Sequence, residues 1–230
     1  MTTQHALTTD AVTGQRQVPR ITQLRSHPAR MLVVFGAPTA FLVTGLLHAV
    51  AARDHNLYTA VGDQAPLWIG VHTVQLLLIL LMAVAIYWLT EGLTGPAAQS
   101  SRVALLFYLV FYSAFDSIVG LSNGLVAQYG RGLSAAEQAV LPGVSDTLSG
   151  GGLDQPVPFT IAFIASASWL VAVTGAAAAR HRAGAPPLAT SPLGLAGVIG
   201  AVDHALPFGT IAMVLFLTAV YVLSRPRTTR

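Results

Sequence analysis

The chain has 230 residues, 53% of them hydrophobic and only 9% charged, with a mean hydropathy of +0.64. A soluble domain carries about 25% charged residues, so this chain has too little polar surface to face water on all sides. Its net charge of +3 comes from twelve arginines gathered towards the termini, with no lysine and no basic stripe, which argues against nucleic-acid binding. Zero cysteines exclude disulfides, thiolate metal sites and cysteine nucleophiles.

Residues 1–30 are polar, without helical periodicity, and read as a flexible tail. This long polar leader argues against a cleaved signal peptide. Four apolar runs follow, at 31–52, 67–89, 103–127 and 157–179, each long enough to cross a hydrocarbon core of ~30 Å. The last apolar stretch, 188–223, is too long for one upright helix and is interrupted by Pro207-Phe208-Gly209. Proline removes a backbone donor and clashes with the preceding turn, so the stretch is either one kinked span or two short spans.

Arginine placement separates these readings. With six spans the cytoplasmic side holds ten arginines and the outside two, Arg53 and Arg131; with five spans the split falls to 7-to-5. Positive charge favours the cytoplasmic side. The expectation is therefore an all-α, polytopic membrane bundle over 31–224. It has six spans (five if the last stretch is one kinked helix), with the N-terminus and a short tail at 225–230 in the cytoplasm. The absence of lysine fits a GC-rich genome and carries no functional weight; the expected location is a bacterial plasma membrane, crossed several times.

The longest outer segment, 128–156, contains Ser134-Ala135-Ala136-Glu137, the pattern of a capping box opening a short interfacial helix. Trp68, Tyr87, Trp88 and Tyr129 fall where aromatic belts meet the headgroups. Gly120 and Gly124 form a G-x-x-x-G suited to a close helix contact, including contact with a second copy.

Ionisable groups inside apolar runs carry the functional argument, because a bilayer makes them costly unless they face a protein interior and pair. These are His48, His72, Asp116 and His204, the last beside Asp203. In the six-span arrangement the three histidines share a depth of roughly 5–8 Å inside the outer interface, at ~1.5 Å per helical residue. Neutral imidazoles at matched depth can ligate a divalent metal or haem iron. Gln75 follows His72 on the same face; Asp116 lies deeper on the third span, with Asn123 two turns above it. Tyr108, Tyr112 and Asp116 make one stripe at i, i+4, i+8, flanked by Phe107, Phe111 and Phe115.

Three function classes follow. The leading one is an intramembrane enzyme that cyclises or isomerises an isoprenoid- or lipid-like molecule. Asp116 serves as proton donor, and His72, His48 and His204 as bases or metal ligands. Phe111, Tyr112, Tyr108 and Phe115, with Gln75, Asn123 and Trp169, form the substrate wall. The second class is a haem- or metal-binding redox module using His48, His72 or His204. The third is a transporter or an accessory subunit of a membrane complex. No phosphate-binding glycine loop or dinucleotide fingerprint is present, so no nucleotide cofactor is expected; the partners expected are membrane lipids, a lipophilic small molecule and, as an open alternative, a second copy.

Overall fold

Apolar runs bounded by proline and glycine dictate the helices. The computed structural model describes residues 27–48, 56–149, 156–203 and 207–225. Among these residues the structure is all helical: α1 (Pro28–His48), α2 (Leu57–Val61), α3 (Ala65–Thr90), α4 (Pro96–Gly130), α5 (Ala135–Gln138), α6 (Leu141–Ser149), α7 (Pro156–Arg182), α8 (Pro187–Val202) and α9 (Phe208–Ser224). Four segments are long and apolar enough to cross a membrane: α1, the joined α2–α3 stretch Leu57–Thr90, α4 and α7. Their outer faces carry large exposed apolar side chains, among them Leu32, Leu77, Val110 and Phe163. A surface this apolar suits hydrocarbon and not water.

Local chemistry sets the boundaries. Proline occupies the first turn of α3, α4 and α8, where its missing N–H is no loss. α4 therefore starts at Pro96, well before the apolar run at 103, and its polar first turns are helical. The tight α3–α4 turn uses Gly92 at φ 70° and Gly95 at φ 100°, conformations that side chains with a Cβ rarely adopt. α7 ends in a Schellman motif: Ala185 N–H donates to Arg180 O at 2.9 Å and Gly184 N–H to His181 O at 2.9 Å, with Gly184 at φ 80°.

The final apolar stretch is two helices of 16 and 17 residues, not one kinked helix. They fold back on each other, and a Cβ on Gly200 of α8 would lie 3.2 Å from Ala212 Cβ of α9. Six helices then run alternately in opposite directions, α1, α3, α4, α7, α8 and α9, each packed on the next, with α9 packed on α1 to close the ring. Ser101 Oγ of α4 donates to Ala172 O of α7 at 2.7 Å, and Gly197 of α8 lies against Thr174 of α7.

One end of this ring is an arginine end. Arg30 at the start of α1 pairs with Glu91 just beyond α3 and covers the Trp88 ring at 5.2 Å. Arg102 donates to Thr90 O and, at 2.9 Å, to Leu93 O. Arg180 donates to Leu89 O and, at 3.3 Å, to Trp88 O. The guanidiniums of Arg102 and Arg180 satisfy the carbonyls of Trp88, Leu89 and Thr90 at the end of α3, which no intrahelical donor can reach, and face the negative end of its dipole. The opposite end holds α2, α5 and α6.

Candidate functional site

At the end opposite the arginines, α1 and α3 bring two histidines together. His48 Nε2 and His72 Nε2 lie 3.2 Å apart, on residues only 7% and 2% exposed. His72 Nδ1 lies 2.8 Å from Trp68 O. A carbonyl only accepts, so this nitrogen carries the proton and, in neutral His72, the lone pair is at Nε2. The Trp68 ring packs on both imidazoles, at 4.4 Å from His48 and 4.5 Å from His72, and its Nε1–H donates to Gly120 O at 2.8 Å.

Trp68 is therefore part of the site and not of an interfacial belt. Its position near a helix start suggested the belt; its spacing four residues before His72, on the same face, was the available signal. Tyr87 and Tyr129 are exposed, as belt residues are.

Glycines make this convergence possible. A Cβ on Gly120 would stand 1.9 Å from His72 Cδ2, and one on Gly124 would stand 2.7 Å from Ile69 Cγ1. The G-x-x-x-G thus mediates a contact of α4 with α3 of the same chain.

Two π-helical turns, Tyr108–Tyr112 and Asp116–Leu121, interrupt α4. Such turns are rare and concentrate at functional sites. Asp116 opens the second of them. It is 3% exposed, and its Oδ2 has no hydrogen-bond partner among the described residues; the same holds for Gln75 Oε1. His72 packs on Gly120, Gln75 is three residues beyond His72, and Asp116 is four before Gly120. On antiparallel helices this puts Gln75 and Asp116 at one level, about one turn deeper than the histidines.

Deeper still, on the axis of the ring, is a cavity of about 30 Å³. All six helices line it: Phe41 from α1, Met82 from α3, Tyr108 and Tyr112 from α4, Trp169 from α7, Gly200 from α8, and Gly209 and Met213 from α9. The Tyr108 ring is 5.1 Å from Tyr112 and 5.6 Å from Trp169. That volume holds a water molecule or two.

The expected residues therefore divide. Tyr108, Tyr112 and Trp169 line the cavity. Phe115 packs edge-on against Tyr112 at 6.1 Å, whereas Phe111 stacks on exposed Phe107 on the outer side. Asn123 is engaged elsewhere: its Oδ1 accepts from Ser145 Oγ at 2.5 Å, and its Nδ2 donates to Val119 O at 2.8 Å and Ser149 Oγ at 3.3 Å. It fastens α6 over this end of the bundle. His204 lies outside the described residues.

Among the described residues, no group of three or more histidines and carboxylates could hold a metal. The His48–His72 arrangement does not fit an axial haem pair, whose nitrogens approach from opposite sides about 4 Å apart. No family model, curated protein or solved structure matches the chain.

Proposed function

We propose that this is an intramembrane acid–base catalyst acting on a lipid-soluble substrate, with Asp116 as proton donor. The observation that carries the reading is the Asp116 carboxyl, buried between a histidine pair and an axial aromatic cavity, with an oxygen unpartnered among the described residues. A buried acceptor left open costs about 1–3 kcal/mol, and polar groups retained at such cost in a bilayer mark function.

The chemistry balances without a cofactor. The Asp116 proton adds to a carbon–carbon double bond, leaving a carbocation that the ring faces of Tyr108, Tyr112 and Trp169 stabilise. The resulting carboxylate or a histidine then takes a proton from a neighbouring carbon, giving an isomerised or cyclised product. The cavity is smaller than such a substrate, so entry requires α8 and α9 to part, the wall there among the described residues being Gly200, Gly209 and Met213.

The orientation belonging to this reading follows from charge. Arg30, Arg102, Arg180, Arg182 and Arg225 share one end and Arg131 stands at the other, so the arginine end is cytoplasmic. The chain then spans six times, with α8 and α9, about 24–26 Å long, tilted or set in locally thinned bilayer.

The test is a mass-spectrometric comparison of lipid extracts from membranes carrying the wild type or Asp116→Asn at equal protein levels. A lipophilic product formed by the wild type and lost in the variant is expected. Product formed equally by Asp116→Asn, or wild-type extracts identical to those of protein-free membranes, refutes the reading.

A further inference from the structure

We infer that the seam between α3 and α4 at the arginine end binds an anionic phospholipid, with Arg102 taking the phosphate. The two ends of the ring differ in charge among the described residues. Arg30, Arg102, Arg180, Arg182 and Arg225 stand at one end with a single carboxylate, Glu91; at the other, Arg131 stands with Asp63, Glu137, Asp146 and Asp203. Glu91 is taken by Arg30, so Arg102 has no carboxylate partner among the described residues. Its hydrogen bonds there both leave from Nη2, to Thr90 O and Leu93 O. The buried Nε has no acceptor among the described residues, and Nη1 of this half-buried side chain keeps its N–H groups to give. Carbonyls cap the helix end but leave a full positive charge uncompensated, and the remaining donors of a guanidinium suit a phosphate oxygen.

An independent observation selects a lipid over a free anion. The Arg102 guanidinium stands 5.9 Å from the Tyr87 ring centre, and Tyr87 is exposed, as a side chain at headgroup level is. Below them, Leu80 and Leu77 continue the exposed row of α3 from Tyr87, and Leu106 and Val110 that of α4 from Arg102. At ~1.5 Å per helical residue these rows reach about 10–15 Å and about 6–12 Å into the hydrocarbon. A cation above two apolar rows matches a phosphate above two acyl chains. A zwitterionic headgroup brings its own cation to compete with Arg102; an anionic one does not, and basic groups beside a span attract it. The test reads bound lipid and not turnover, so this inference and the proposed chemistry fail separately.

The full chain in detergent is mixed with equal amounts of phosphatidylglycerol and phosphatidylcholine bearing the same acyl chains, and retained lipid is identified by native mass spectrometry. Phosphatidylglycerol is expected to be retained over phosphatidylcholine by a factor of about five, the share one arginine supplies at an anionic surface. Arg102→Gln should abolish that preference, whereas Arg182→Gln, which removes the same charge from the same end, should keep it. A phosphatidylglycerol carrying a diazirine in its acyl chain should label 77–87 and 103–110 of the wild type, which reads the site even where Arg102→Gln fails to fold. Equal retention of the two lipids, equal losses in Arg102→Gln and Arg182→Gln, or label spread evenly over the outer faces of α7 and α8 overturns the inference.

Discussion

Gly120 shows how much of this site depends on an atom that is absent. Its Cβ would occupy the His72 ring, so Gly120→Ala must displace His72 or part α3 from α4. Overpacking of this kind costs about 1–3 kcal/mol, and a clearly lowered unfolding temperature in detergent is expected. Gly200→Ala meets Trp169 Nε1 at 2.6 Å and should also reduce the product of the proposed reaction, whereas Gly143→Ala, with open space around it, should change neither. The sequence exposed His48, His72 and Asp116 because ionisable groups stand out in apolar runs. It hid Trp68 and Gly120, since a tryptophan near a helix start reads as a belt and a glycine in a span reads as generic packing. Only the register of α3 on α4 shows that they shape the pocket.

At the scale of elements, α4 is the part least legible in advance. Spacing of four placed Tyr108, Tyr112 and Asp116 on one stripe, and the Tyr108–Tyr112 ring contact agrees. The two π-helical turns have no sequence mark such as an internal proline, because they follow from packing against α3 and α7. The outer segment was partly legible: the capping box forms, with Ser134 N–H and Oγ–H donating to Glu137 Oε2 at 2.8 and 2.6 Å, while α6 was not foreseen. Its fastening rests on Asn123, joined to Ser145 and Ser149, and on Asn56 Nδ2, which donates to Asp146 Oδ1 at 2.7 Å. Asn123→Ala should speed amide exchange across 141–149 at least severalfold, at a cost of about 1–3 kcal/mol for the buried bonds, while exchange in α7 stays unchanged.

The capping box also makes a pH prediction. Hydrogen bonds from Ser134 hold the Glu137 carboxyl below its ordinary value. A carboxyl depressed on folding contributes stability above its unfolded pKa and loses it as pH falls through the folded one. The protection factors of amides in 134–138, with the intrinsic pH dependence of exchange divided out, should therefore fall on acidification through and below the usual carboxylate range, and Glu137→Gln should flatten that dependence.

For the whole molecule, the apolar runs announced a helical membrane bundle because hydrocarbon leaves a backbone no other partner than itself. The closing contact of α9 on α1 and the position of the cavity on the ring axis were not announced, since both depend on which helix faces which. The proposed six-span orientation is tested with reporters: those fused after Arg230 and inserted after Gly184 should both be cytoplasmic, and one inserted near Gly132 external. The most direct measurement is a high-resolution density map of the protein extracted with its native lipids. Elongated non-protein density entering between Tyr108, Tyr112 and Trp169, and ending within hydrogen-bond reach of Asp116, is the expected result. A closed axis packed with aliphatic side chains, with Asp116 and the two histidines directed away from one another, would contradict it.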